Sequence, residues 1–187
     1  MPAYSSPLIL ASASPRRQEL LQQIGVPFKV AVAEVVENES PDHDPRALVA
    51  GNAALKANAI ANRNPESWVL GADTTVCVAG EVLNKPADLD EAKRMLRELS
   101  GRSHSVFTGL ALRHVGRQIH VDRIVESRVV FRELTDAQID HYLSLVHTLD
   151  KAGGYAIQEH GDLVVARYDG SLSNIIGLPV DETKQIL

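Results

Sequence analysis

Two long alternating segments, His104–His114 and Gln118–Phe131, face each other across a turn at Gly116, and they constrain this chain more than any other feature. Apolar and β-branched runs separated by a few turn residues read as a β-hairpin. A hairpin is antiparallel, so a sheet containing it cannot be purely parallel. Elsewhere strands and helices alternate. Pro7–Ser12 reads as a short buried strand, with Leu8, Ile9 and Leu10 in a row. Ser14 caps a helix with Pro15 at its first position, where a missing N–H costs nothing; Leu20, Leu21 and Ile24 form its apolar side and Gly25 ends it. Phe28–Ala33 reads as a second strand and the acidic stretch Glu34–Pro45 as a loop. Asp44-Pro45 opens an alanine-rich helix with the body Arg46–Asn62. Trp68–Val78 reads as a strand interrupted by polar Asp73-Thr74-Thr75, turned back at Ala79-Gly80 into Glu81–Leu83. Asp88 and Glu91 have capping-box spacing at the head of a helix reaching Leu99, closed by Ser100-Gly101. Thr135 and Gln138 repeat that spacing for a helix to about Val146. A glycine-containing loop at Asp150–Gln158, a strand near Leu163–Tyr168 and a short terminal helix after Gly177-Leu178-Pro179 complete the chain. The expected fold is α/β with a mixed sheet.

Composition narrows the function classes. At 187 residues the chain suits one domain, 1–187, long enough to bury a core without disulfides. Its net charge of −5 argues against a nucleic-acid partner, which calls for a basic surface. The single cysteine, Cys77, excludes an internal disulfide framework and any CxxC site; within Val76-Cys77-Val78 it reads as buried strand filler. No apolar run approaches the roughly 20 residues of a membrane span, and Met1–Ser6 carries no basic region, so the expected location is the cytoplasm.

There is no P-loop, dinucleotide fingerprint, HExxH or GxSxG in the chain. What it carries instead is Ser12-Ala13-Ser14-Pro15-Arg16-Arg17, where a strand hands over to a helix. Unpaired N–H groups, two hydroxyls and two guanidinium forks there describe an anion site. Cations in a first helical turn oppose the helix dipole, which points to an anionic partner; the alternative is a capped helix with solvated arginines. Asp73 lies within an apolar strand and can hold a divalent metal or orient water, or else cap a strand end. Lys85 precedes Pro86 and reads alone as a rim lysine. Gly153-Gly154 permits close backbone approach, and the Gln158 amide can both donate and accept. The histidines lack metal-ligand spacing; His43, between Asp42 and Asp44, is the one in a cation-binding context.

Taken together, Leu10–Arg17, Gly71-Ala72-Asp73-Thr74, Lys85-Pro86, Ser100-Gly101 with His104 and Thr108-Gly109, Asp150–Gln158 and Gly177-Leu178-Pro179 resemble the Maf family of nucleotide pyrophosphatases, in the family's order and over nearly the whole chain. The resemblance implies a mixed, strongly bent sheet flanked by helices, with two lobes and a cleft, similar to inosine triphosphate pyrophosphatases. It implies cleavage of a nucleoside triphosphate to the monophosphate and pyrophosphate with Mg²⁺ or Mn²⁺. Asp73 matches the catalytic proton acceptor, while Arg17, Thr74 and Gln158 match positions of substrate choice. That combination is similar to the branch acting on dTTP and UTP, with CTP and modified pyrimidine nucleotides as further candidates. Ser12, Arg16, Glu37, Lys56 and Lys85 match other polar cleft positions; among Glu34, Glu37 and Glu39, spacing from Arg17 favours Glu37. Gly51 is a poor residue for the interior of the helix carrying Lys56. A homodimer is implied as well.

On this reading Ser12, Arg16, Lys56 and Lys85 hold the phosphate chain, Glu37 and Asp73 share the metal, and Glu37 and Lys85 join Asp73 in catalysis. Arg17, Thr74 and Gln158 face base or sugar. The rivals are a nucleotide-binding regulator of septum formation and a house-cleaning pyrophosphatase for 7-methyl-GTP or non-standard purines. Carboxylates beside a triphosphate repel it unless a metal intervenes, so Asp73 and Glu37 favour catalysis over simple binding.

Overall fold

The computed structural model describes residues 8–40 and 43–187. Pro7 of the first expected strand, the stretch Met1–Ser6, and Asp42 beside His43 lie outside the described residues. The strands are β1 (Leu8–Leu10), β2 (Phe28–Val30), β3 (Val69–Val78), β4 (Glu81–Leu83), β5 (Ser103–His114), β6 (Ile119–Phe131) and β7 (Val165–Asp169). The helices are α1 (Pro15–Ile24), α2 (Pro45–Ala61), α3 (Leu89–Leu99), α4 (Asp136–Leu145), α5 (Gly161–Val164), α6 (Leu172–Ile176) and α7 (Val180–Ile186). The sheet runs β2-β1-β3-β5-β6-β7, with β4 hairpinned onto β3. β2, β1 and β3 are parallel; β3, β5, β6 and β7 are antiparallel. The mixed sheet therefore centres on the long hairpin read from sequence.

The pairing of β3 creates the site. β5 takes one whole edge, from Val69 to Cys77. β1 and β4 share the other: β1 pairs with Val69 and Leu70, β4 with Val76, Cys77 and Val78. Between them Gly71–Thr75 keeps an edge that neither strand covers. Asp73-Thr74-Thr75 does not interrupt the strand, as its polarity suggests; it marks where a continuous strand loses a neighbour.

Alternation gives β3 two unlike faces. On one, α2 lies so close that a Cβ on Gly71 would stand 2.3 Å from the Ala53 carbonyl oxygen, and one on Gly109 2.3 Å from that of Val49. Buried Ala53 and Ala57 complete this contact. On the other, Leu70 and Ala72 join Leu8, Leu10, Leu21, Leu110 and Leu112 in one cluster. Val76, Val78 and Val106 join Leu96, Leu99, Ile139 and Tyr142 in a second. Thr74 and Thr108, direct partners across the ladder, stand at the seam.

Local differences from expectation have identifiable causes. Ser14 occupies the N-cap of α1, but its side chain makes no cap bond; its N–H donates to Ser12 Oγ at 3.2 Å. At α3, Asp88 accepts from the Glu91 N–H, yet Glu91 reaches past it to the Ala87 N–H, so the reciprocal box is not closed. The Thr135–Gln138 box is closed. β2 stops at Val30, the glycine loop forms a 3₁₀ turn at Ala152–Gly154, and α5 takes the first residues of the expected last strand. Cys77 is half-buried, with burial raising its thiol pKa.

Candidate active site

Every candidate named from sequence lines one cleft of about 350 Å³: Ser12, Arg16, Arg17, Glu37, Lys56, Asp73, Thr74, Lys85 and Gln158. Its wall carries five cationic side chains, adding Lys151, and three acidic ones, adding Asp150. A protein of net charge −5 thus concentrates positive charge in this cleft. Such focusing favours an anionic ligand.

Asp73 projects at the uncovered edge of β3 toward α2. Its Oδ1 lies 2.8 Å from Lys56 Nζ and its Oδ2 accepts from Asn52 Nδ2 at 3.1 Å. Asn52 and Lys56 are one helical turn apart on the buried side of α2, so the close approach over Gly71 and Gly109 brings both to the same carboxylate. Asn52 also fixes the next segment: Nδ2 donates to the Asn38 carbonyl and Oδ1 accepts the Asn38 N–H, both at 2.9 Å. That clamp delivers Glu37, whose Oε2 lies 2.6 Å from Lys56 Nζ. Of the three neighbouring glutamates, Glu37 is the one that meets Lys56. The lysine expected to face phosphates is engaged by two carboxylates.

These two carboxylates meet at the Lys56 ammonium, and their donors are hard oxygens. Among the described residues no group of three or more His, Cys, Asp or Glu is placed to hold a metal. Two carboxylates with the balance of oxygens from phosphates and water is how Mg²⁺ is commonly held, so Glu37 and Asp73 fit such an ion.

Arg17 ties three segments together. Nε donates to the Gly177 carbonyl at 2.9 Å, Nη1 to Ser12 Oγ at 3.2 Å and Nη2 to Thr74 Oγ1 at 3.1 Å. Burial lowers its pKa and nearby Asp73 opposes the shift; the group remains a cation. Arg16 points across the cleft to Asp150, with Nη1 to Oδ2 at 2.7 Å and Nη2 to the carbonyl at 3.3 Å. Burial alone would raise the Asp150 pKa; hydrogen bonds from Lys151 and Arg16 outweigh it and hold the carboxyl at about 2.

Lys85 is exposed at the rim. Its loop is fixed by Asn84, whose Nδ2 donates to the Glu39 carbonyl at 2.7 Å and whose carbonyl accepts from Gly153 N at 3.1 Å. Gln158 is exposed too, its amide 3.3 Å from Glu159 Oε1. The loop carrying it is pinned from below, because Tyr142 Oη donates to the Ala156 carbonyl and accepts the Ala156 N–H. His104 Nε2 lies 2.8 Å from Tyr155 Oη. The sequence reading gives no individual site role to Asn52, to Asp150 or to the residues of these two pins. The polar pair Asn52 and Lys56 at i, i+4 in an alanine-rich helix was the available signal for the first.

The sequence profile of the Maf-like protein family matches residues 7–187. A dTTP/UTP pyrophosphatase of Akkermansia muciniphila is 46% identical, over 97% of this chain and 95% of that protein. One from Myxococcus xanthus is 46% identical over 100% and 94%, and one from Symbiobacterium thermophilum 48% over 96% and 92%. Among solved structures, a nucleoside-triphosphatase/dITP/XTP pyrophosphatase of Mycobacterium abscessus aligns with a TM-score of 0.47 at 13% identity, over 84% of this chain and 93% of that one. The Staphylococcus aureus Ham1 protein gives 0.48 at 13%, over 70% and 73%.

Proposed function

The chain belongs to the Maf-like protein family, and from that premise we propose that it is a nucleoside triphosphate pyrophosphatase hydrolysing dTTP and UTP to the nucleoside monophosphate and pyrophosphate. The observation carrying this reading is the uncovered edge of β3, where Asp73 and Glu37 share a cleft with Arg16, Arg17 and Lys85. A triphosphate brings about four negative charges, and its hydrolysis is chiefly positioning and electrostatic stabilisation.

In this mechanism Ser12, Arg16 and Lys85 take the phosphate chain at the head of α1. Asp73 orients a water and accepts its proton as the water oxygen bonds to the α-phosphorus and the α–β anhydride bond breaks. Lys56 and Asn52 each occupy one acceptor position on an Asp73 oxygen, and each oxygen has a second position left for this work. Glu37 and Asp73 would hold Mg²⁺ or Mn²⁺, which supplies charge neutralisation along the phosphates. Arg17, Thr74 and Gln158 face base or sugar, and the Gln158 amide can pair with the O4 and N3–H edge of uracil or thymine. The same reading gives a cytoplasmic homodimer that acts on free nucleotides, not nucleic acid, in a house-cleaning role. No helix among the described residues is long and apolar enough to cross a membrane.

The test is pyrophosphate release from dTTP, UTP, CTP, 7-methyl-GTP and ITP, with Mg²⁺ or Mn²⁺ and with EDTA. The expected result is metal-dependent release, dTTP and UTP first. Preference for 7-methyl-GTP or ITP would keep the reaction and overturn the specificity. Binding of nucleotides without any turnover would overturn the reaction.

A further inference from the structure

A short chain of hydroxyls runs from the cleft into the sheet. Arg17 Nη2 donates to Thr74 Oγ1 at 3.1 Å, Thr74 Oγ1 and Thr108 Oγ1 lie 2.9 Å apart, and Thr108 Oγ1 is 3.3 Å from the Asn174 carbonyl oxygen. Thr74 has one other internal acceptor, the Gly177 carbonyl at 3.4 Å. Thr108 is wholly buried and does not line the cleft.

The ends of this chain limit it to two arrangements. A guanidinium only donates, a carbonyl only accepts, and each hydroxyl has one hydrogen. If Thr108 gives its hydrogen to Asn174, it receives that of Thr74. If it gives its hydrogen to Thr74 instead, the Thr74 hydrogen goes to Gly177. In both arrangements the Thr74 hydrogen is spent inside the protein. In the first, the Thr74 oxygen accepts from Arg17 and keeps one lone pair for the cleft.

We propose that Thr108 is a positioning residue for substrate choice: it commits the Thr74 hydroxyl hydrogen to the protein, so that Thr74 meets a bound nucleotide as a hydrogen-bond acceptor and selects an N–H or O–H on it. The identity of that ligand as a nucleotide rests on the pyrophosphatase reading above. A thymidine nucleotide offers two such donors, the N3–H of the base and the 3′-hydroxyl of the sugar. Cytosine presents an acceptor at N3, and a 2′,3′-dideoxy sugar presents no hydroxyl.

Thr108→Val keeps the branched shape and removes the hydroxyl, leaving Thr74 only the longer contact to the Gly177 carbonyl, at 3.4 Å, against which a group in the cleft can compete for its hydrogen. Thr108→Ala removes the same group should the valine disturb packing, and Thr108→Ser restores it. The experiment titrates wild type and the three variants with α,β-imido analogues of dTTP, dCTP and 2′,3′-dideoxy-TTP by calorimetry, with thermal melting alongside. Wild type prefers the dTTP analogue, and Thr108→Val and Thr108→Ala lose about fivefold of that preference, the scale of one net hydrogen bond. Thr108→Ser recovers it. A loss against the dCTP analogue assigns the donor to N3–H; a loss against the dideoxy analogue assigns it to the 3′-hydroxyl. A purely structural role would weaken all three ligands alike.

Equal wild-type affinities for the three analogues would overturn the proposal. So would both ratios staying within about twofold in variants that lack the hydroxyl, an interval well inside one hydrogen bond. Binding is read without turnover, so the two ideas fail separately. Shifted ratios in a protein that releases no pyrophosphate would remove the enzymatic reading and keep Thr108; active protein with unmoved ratios would do the reverse.

Discussion

On one face of β3, Gly71 and Asp73 lie under α2; on the other, Leu70, Ala72, Thr74, Val76 and Val78 meet two apolar clusters. On the first face, Gly71 and Gly109 let the backbone of α2 come down onto the sheet. That proximity lets Asn52 and Lys56 reach Asp73. The second is packed with branched side chains, and its functional group, the Thr74 hydroxyl, is set by a neighbour across the ladder. A charged group is positioned here by removing bulk and a neutral one by pairing hydroxyls. A single strand can do both because successive residues point to opposite sides.

Substitutions on each face should separate these two modes. Arg17→Lys strikes the Thr74 face hardest, since a lysine cannot replace three directed donors. Losing two charge-assisted bonds lowers kcat/KM for dTTP on the order of 10³-fold; steady-state kinetics showing less than about tenfold loss would mean that the three-way tie is idle.

The dryness of that face has a pH signature. Burial lowers the His104 pKa from 6.5 to about 4, and its Nδ1 has no partner. Between those values the unfolded chain binds a proton that the folded one refuses, so stability is full above pH 6.5 and falls as pH drops toward 4. The loss is on the order of 3 kcal/mol across the window. Urea unfolding at several pH values should show this slope in wild type and a flatter one in His104→Gln.

On the glycine face, Gly109→Ala forces α2 away from the sheet, because its methyl would meet the Val49 carbonyl at 2.3 Å. Overpacking of this kind costs about 1–3 kcal/mol. Calorimetry should show a melting temperature lower by about 2–12 °C. Activity should fall as well, because Asp73 loses its register with Lys56. Gly51→Ala, in the same helix with nothing within 4 Å, sharpens the contrast. It should stabilise the protein by about 0.5–1 kcal/mol through helix propensity alone and leave kinetics unchanged.

Much of the frame was legible because it is written in local signals. Asp44-Pro45 starts α2 as expected, and the Asp44 side chain accepts from the Arg46 and Ala47 N–H groups. The long hairpin follows from alternation around a turn, with Gln118 taking a positive φ of 55°. Ser12, Arg16 and Arg17 were visible as a strand handing over to a helix start with misplaced cations. Illegible were the features set by non-local pairing. Nothing around Asp73 says that β1 and β4 share its strand edge and leave it open. The engagement of Lys56 by Glu37 and Asp73 depends on a segment 17 residues away and on how closely α2 approaches. Arg16 and Asp150 meet across 134 residues, so neither predicts the other. The short helix α6 carries only Ser171 as a start signal, accepting from the Asn174 N–H, and the sequence reading assigns no element there.

The central claim is that the uncovered edge of β3 makes Asp73 the proton acceptor for cleavage between the α and β phosphates. It is tested most directly by following dTTP with Mg²⁺ by chromatography, for wild type and Asp73→Asn side by side, with affinity for the α,β-imido analogue measured on both. Wild type should yield dTMP and pyrophosphate in equal amounts, while Asp73→Asn binds the analogue and turns over dTTP at least about 100-fold more slowly. Formation of dTDP and phosphate, or an Asp73→Asn rate equal to wild type at saturating metal, would contradict it.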